Sequence, residues 1–268
     1  VGTLVLGRQY TPAHVVQTSY NAGGSNNVVG DVTYTQAEVG ATAPTNGISG
    51  LRADALNTSA YLFRASNAAA YVLPSLVNGL TAAVAYTTVN TANNGTDSGA
   101  NGYTGLVKYD NGPLSIGGSL LSATAQSGNV AAPADGWNVQ GTVQNTDTKF
   151  TNNTLGASYD LQVAKLFLTY ITLKAETGAN SFKRTSNKVG VNTTVGNWVP
   201  FVQYGTAENE NVNAGNKNTW DNTGYQLGTS YNFSKRTNAY AIYGKNKASW
   251  AGGSGNESQI AFGLRHQF

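Results

Sequence analysis

The sequence predicts an all-β protein, a transmembrane antiparallel up-and-down β-barrel with about twelve strands in this chain. Three observations predict it. Apolar and polar residues alternate with period two, as in Ile260, Phe262, Leu264 and His266 against Gln259, Ala261, Gly263 and Arg265, which is the strand period. The connections alternate between short turns and longer polar stretches, which gathers the long ones at one end of a meander. The apolar faces carry aromatics near their ends while the opposite faces are small or polar, as expected of strands between lipid and a watery lumen.

Composition agrees. Charged residues make up 11% of the 268, against roughly 25% in an ordinary soluble domain. There are 32 Gly and 15 Tyr, and no Cys, which excludes a disulfide framework and a thiolate metal site. Mean hydropathy is negative and no apolar run reaches the length of a membrane-spanning helix. A barrel escapes that test because half of each strand faces water. A formal charge of +3 is too small to indicate nucleic acid. The chain reads as a single barrel domain, residues 1–268.

In order, residues 1–10 form the first strand, with Val1, Thr3 and Val5 on one face and Leu4 and Leu6 on the other. A long stretch rich in Gly, Asn, Thr and Ala follows to Thr58; a connection of that length in a compact domain is usually functional. Strands are then expected at 60–73, 79–90, 102–110, 113–124, 153–160, 165–175, 187–196, 198–207, 223–233, 237–247 and 257–268. Short turns fall near Pro74, at Asp110–Pro113, Asp160–Lys165, Gly196–Trp198 and Ser234–Thr237. Asn111-Gly112 supports φ > 0 at both central turn positions, a strong hairpin signal. Longer loops are expected near 91–101, 125–152, 176–186, 208–222 and 248–256.

Tyr225, Leu227, Thr229, Tyr231 and Phe233 oppose Gln226, Gly228, Ser230 and Asn232, and Val189, Val191, Thr193 and Val195 oppose Lys188, Gly190, Asn192 and Thr194. Strands 165–175 and 198–207 are apolar on both faces and fit either a subunit contact or a position beneath a folded-in loop. Lys108, Lys188 and Arg265 fall on the polar face. Each would cost roughly 2–4 kcal/mol against lipid at mid-membrane, so they are expected as hydrated charges of the lumen wall. Tyr109, Tyr159, Tyr225, Tyr231, Phe233 and Phe268 read as an interfacial girdle, with a carbohydrate-stacking path as the alternative. The two histidines, His14 and His266, have no defensible Ser-and-acid partners, and no metal-ligand cluster or phosphate loop is present. No catalysis, cofactor or metal is expected.

The pieces GTLVLGRQYTP (2–12), RASNAAAYVLP (64–74), YDNGPLS (109–115), LGASYDLQVAKL (155–166), YNFSKRTNAYAIYGK (231–245) and ESQIAFGLRHQF (257–268) together resemble the general diffusion porins of β-proteobacteria, the Comamonas and Delftia anion-selective type. The resemblance implies a sixteen-stranded outer-membrane barrel, of which this chain holds about twelve strands, with the first four preceding Val1. Twelve strands alone would leave two edges unpaired in lipid unless they closed on themselves. It also implies that residues 13–58 are the constriction loop folded into the pore, carrying Asp31, Glu38, Asp54 and Arg52.

An arginine cluster on the wall faces that loop in the family. Arg64 matches one member and Arg8, in the LGR motif, is a second candidate. Arg64 either focuses the field of the eyelet for the opposite ion or simply pairs with a loop carboxylate. Phe268 resembles the C-terminal signal read by the outer-membrane assembly machinery. The expected partners are outer-membrane lipid and lipopolysaccharide, two further copies in a homotrimer, and small hydrophilic solutes and ions, with anions preferred. The expectation is therefore a channel of the bacterial outer membrane. Its alternatives are a substrate-specific channel, a twelve-stranded outer-membrane hydrolase and a soluble β-protein.

Overall fold

The computed structural model describes residues 1–24, 26, 28–33, 64–74, 77–93, 96–125, 147–213 and 215–267. Its strands are β1 Thr3–Tyr10, β2 Arg64–Val72, β3 Leu80–Asn93, β4 Thr96–Asn111, β5 Leu114–Ala125, β6 Thr148–Asp160, β7 Lys165–Thr177, β8 Asn180–Asn192, β9 Trp198–Asn213, β10 Asn216–Ser234, β11 Thr237–Trp250 and β12 Gly253–His266. All twelve lie in one sheet in chain order, each antiparallel to its sequence neighbours. This is the meander expected from the period-two pattern. One helix, α1 Pro12–Ser19, follows β1.

The expected alternation of short and long connections needs correction. Four of the five longer loops are largely strand. β7 and β8 stay paired to Thr177 and Asn180, β9 and β10 to Asn213 and Asn216, and β11 and β12 to Trp250 and Gly253. β3 and β4 likewise pair out to Asn93 and Thr96. Gly178 and Gly215 take positive φ in two of these tight turns, where only glycine is unstrained. The physical reason is that these hairpin ends carry polar residues on both faces. The alternation signal vanishes there, although the backbone ladder does not. Long connections remain after β1 (11–63) and between β5 and β6 (126–147).

The two faces differ. On β8, Phe182, Arg184, Ser186 and Lys188 are buried while Lys183, Asn187 and Val189 are exposed. On β10, Trp220, Asn222, Gly224 and Gln226 are buried while Leu227 and Phe233 are exposed. The face carrying Lys188 and Gln226 is covered by residues 12–24, 26 and 28–33 of the same chain, and none of the described residues covers the opposite face. This settles β7 and β9, whose two apolar faces left their orientation open. Phe167, Thr169 and Ile171 lie on the covered face, with Leu166, Leu168 and Tyr170 on the bare one. Phe201 and Gln203 lie inward, while Val202 and Tyr204 lie outward at 48% exposure each.

The bare face has an aromatic margin at each end. Tyr231 contacts Trp198 and Phe233 edge-on, at 4.8 and 5.1 Å between ring centroids. Tyr225 and Tyr243 pair at the other margin, 6.0 Å apart. Tyr225 to Phe233 spans about 26 Å along the strand at about 3.3 Å per residue, which a tilt of about 35–45° reduces to about 20 Å, inside the ~25 Å apolar band of a membrane barrel.

Candidate functional site

The segment after β1 turns onto the sheet because its local sequence starts a helix there. Thr11 Oγ1 accepts a hydrogen bond from His14 N at 3.2 Å, and Pro12 opens the first turn, where its missing N–H has no intrahelical partner to lose. Val16 and Tyr20 on the helix's inner side bury against Ala83, Leu106 and Val72 of β3, β4 and β2. Thr11-Pro12 was the available sign of this helix. The expectation of loop from residue 11 onward missed it.

Residues 20–33 then cross the sheet along one register row. That row runs Lys108, Gly117, Gly156, Thr169, Lys188, Gly205, Gly224, Asn246 from β4 to β11. Four of its eight members are glycines, paired as Gly117 with Gly156 and Gly205 with Gly224. The Tyr20 ring fills the space a side chain at Gly156 would need, and a Cβ on Gly117 would stand 2.9 Å from its hydroxyl. At the other pair, a Cβ on Gly205 would meet Val32 Cγ2 at 2.5 Å, and one on Gly224 would meet Gly30 O at 2.6 Å. Gly30 itself has φ +97 and lies against the Tyr225 carbonyl, so only glycine fits there. The missing side chains form a trough that lets the backbone of 20–32 approach the wall.

Between the two glycine pairs stand Thr169 and Lys188. Thr169 Oγ1 donates to Tyr20 O at 2.9 Å. Lys188 Nζ reaches Asp31 Oδ2 at 2.8 Å and Oδ1 at 3.0 Å, with side chains 3% and 2% exposed. The Asp31 carboxylate also accepts from Asn21 Nδ2 at 2.8 Å, Gln203 Nε2 at 3.2 Å and Thr33 Oγ1 at 2.6 Å. Burial by itself raises the Asp31 carboxyl, but the Lys188 ammonium and the hydrogen bonds from Lys188 and Thr33 outweigh it and hold the group below its ordinary range.

Amide side chains and the Arg184 guanidinium complete the seat. Gln226 Nε2 donates to Val28 O at 2.5 Å and Val29 O at 3.1 Å. Arg184 Nη2 donates to Val32 O at 3.0 Å, and its Nη1 to Asn209 Oδ1 at 2.7 Å. Gln259 Oε1 accepts from Val29 N at 3.1 Å, and Gln17 Nε2 closes the segment on the helix by donating to Thr33 O at 2.6 Å.

The sequence-predicted charges fall into different settings. Lys188, expected as a hydrated wall charge, is instead buried under the segment, and its pairing with Asp31 cancels both. Lys108 is on the covered face and pairs with Asp110 at 3.1 Å, both partly exposed. Arg265 is on the covered face and exposed, its guanidinium 5.9 Å from the Tyr240 ring centroid. Arg8 sits in a bulge between Gly7 and Gln9 and is exposed. Arg64 pairs with Tyr10 through the backbone, but its side chain, like Arg52, Glu38, Asp54 and Phe268, lies outside the described residues. His266 Nδ1 shares a 2.8 Å hydrogen bond with Thr237 Oγ1 at an exposed strand end. Arg184, Gln203, Gln226 and Tyr20 were not singled out from the sequence. Inward glycines recurring strand after strand were the signal that pointed to them.

The family model described as Gram-negative porin matches residues 1–250. Among solved structures, the anion-selective porin from Comamonas acidovorans superposes with a TM-score of 0.67 at 23% identity, covering 100% of this chain and 74% of that one. The trimer form of OmpT from Vibrio cholerae gives 0.62 at 15%, covering 100% and 77%. OmpF of Salmonella typhi, solved with daunomycin, gives 0.60 at 16%, covering 100% and 75%. At these identities the likeness is one of fold. No curated relative matches. A meander with a lipid-type band on one face and an inward-folded segment on the other, matched by that family over residues 1–250, has one reading: the chain belongs to the Gram-negative porin family and is an outer-membrane channel for passive diffusion, not an enzyme.

Proposed function

We propose that residues 13–58 narrow the pore and that the channel passes small hydrophilic solutes with a preference for anions. The observation that carries the first part is the seating of residues 20–33 on the lumenal wall by the glycine trough and the Asp31–Lys188 pair. A segment held this closely over β4 to β11 occupies cross-section that would otherwise be water.

The second part rests on where single charges stand rather than on a net excess, since buried Arg184 lies on the same lumenal face and exposed Glu257 faces the same way as Arg265 on β12. Lys188 is cancelled by Asp31, and Lys108 is paired with Asp110. Arg265 has no carboxylate partner among the described residues and keeps its charge for the solution. Arg64 and Arg8 add to this reading by the family resemblance. A fixed positive charge on a narrow, low-dielectric wall enriches anions, and arginine does not titrate near neutral pH.

The assembly proposed is a homotrimer in outer-membrane lipid and lipopolysaccharide, delivered by the outer-membrane assembly machinery through the C-terminal signal that Phe268 resembles. The trimeric OmpT neighbour supports the oligomeric state.

The test is the reversal potential of single channels in a planar bilayer under a salt gradient, with protein extracted from outer membranes and its Arg64→Ala variant. Anion-favouring reversal, weakened in the variant, is expected. Cation-favouring reversal would discard the charge argument. Absence of stepwise currents from folded protein would remove the diffusion pore.

A further inference from the structure

A cavity of about 500 Å³ lies on the lumenal wall, on the short-turn side of the folded-in segment, between residues 22–24, 26 and 28 and strands β9 to β12. It lies apart from the Asp31–Lys188 pair, and Gln259 and Val28 of its lining also take part in holding the segment. Its volume falls in the range of small-molecule sites, about 300–1,000 Å³. We propose that this cavity is a binding site for a small organic monocarboxylate with a compact apolar body, a reading that rests on the channel function because it needs the lumenal face to be wet.

The argument begins with Arg265. It lines the cavity, is exposed and has no acidic partner among the described residues. Its orientation is set by its neighbours. Gly263, two residues earlier on the same face, lacks the side chain that would meet the Tyr240 hydroxyl at 2.7 Å. Tyr240 therefore lies down across β12, and the guanidinium stands 5.9 Å from its ring centroid. A guanidinium braced against an aromatic face keeps its outer N–H fork free, and that fork matches a carboxylate through two parallel hydrogen bonds.

The rest of the lining supplies a body site. Phe201 is wedged between Gly23 and Gly228: Cβ atoms there would fall 2.5 and 2.7 Å from its ring. It forms one apolar wall with Ile242. Asn238 and Ser230 offer neutral hydrogen-bonding groups. One cation, apolar surfaces and neutral amides in one cavity fit a singly charged acid with an apolar body better than a multiply charged anion such as a phosphate, which would leave charge uncompensated.

The probe is benzoate, titrated calorimetrically into detergent-solubilised protein checked for heat-modifiable mobility, with benzamide as its uncharged isostere. Saturable benzoate binding is expected, with benzamide roughly tenfold weaker or more, the size of one charge-assisted contact. Arg265→Gln should lose the discrimination, and Arg265→Lys should recover only part of it. Benzoate binding that is absent, equal to benzamide binding or unchanged in Arg265→Gln would overturn the site. If Arg265→Gln does not fold, the benzoate–benzamide comparison on the unaltered protein still decides. Planar-bilayer currents test the channel separately. A protein that binds benzoate without conducting keeps the site and loses the pore; one that conducts without binding loses the site alone.

Discussion

Lys188 Nζ stands 2.8 Å from Asp31 Oδ2 across 157 residues of sequence, and both side chains are almost wholly buried. Two charges have left water here, and their mutual attraction does not by itself make such a pair stabilising. What it does is fix register. The carboxylate fits only where the ammonium, Asn21, Gln203 and Thr33 converge, so the segment is held at one position over the wall.

Removing one partner leaves the other charge stranded. Lys188→Met is expected to lower the unfolding free energy by about 3–5 kcal/mol, read by urea titration of heat-modifiable mobility. It should also make single-channel conductance larger or noisier as the segment leaves the wall. The double variant Asp31→Asn, Lys188→Met should recover most of the stability. Equal losses in single and double variants would show that the pair is not coupled.

Acid acts on the same contact. The Asp31 carboxyl is held below its ordinary range in the folded protein, so the unfolded chain takes up its proton first as pH falls. Its contribution is therefore fully present above the unfolded value, about 4, and is lost as pH falls through the lower folded value. Conductance should stay constant from neutrality down to about pH 4 and change only below. In Lys188→Met the change should move to higher pH. Recordings in a buffer series would show it, and a wild-type transition well above pH 4 would assign acid sensitivity to another group.

The sheet was legible in the sequence because each strand meets two different solvents, and the period-two pattern records that difference wherever it exists. It failed at residues 176–186 and 208–222, where polar residues stand on both faces, the covered face keeps only isolated apolar positions such as Phe182 and Trp220, and the ladder continues regardless. The inward side of Lys188 was legible for the same reason. Its partner was not: nothing in the local pattern around Asp31 indicates a lysine 157 residues away. The two-faced apolar character of strand 198–207 did carry the news of a covering segment, since Phe201 is inward and apolar only because Gly23 lies on it.

Lys108 offers the contrast to Lys188. It also faces the lumen with a carboxylate at 3.1 Å, but the two side chains are 29% and 49% exposed. An exposed pair contributes about 0–1 kcal/mol. Lys108→Gln should therefore leave stability within about 1 kcal/mol of the unaltered protein, and the same urea titration checks it. A loss as large as that of Lys188→Met would mean that Lys108 braces the segment as well.

The glycine trough gives the sharpest steric prediction. Alanine at Gly156 puts a methyl group into the Tyr20 ring, whereas alanine at Gly105, on the bare face, meets nothing nearer than the Ala83 carbonyl at 3.4 Å. In a strand the backbone gains slightly from Gly→Ala, so Gly105→Ala should be neutral or mildly stabilising. Gly156→Ala should cost about 1–3 kcal/mol from overpacking, because the Tyr20 hydroxyl is tied to Ser115 at 3.0 Å and its backbone carbonyl to Thr169 at 2.9 Å, and both contacts resist displacement of the ring. The added Tyr20→Ala change should relieve the clash while forfeiting the ring's burial. Conductance would then separate the two effects: Gly156→Ala should alter the channel step by displacing the segment, and Gly105→Ala should not. If both alanine variants conduct alike, the missing side chains do not set the height of the segment over the wall.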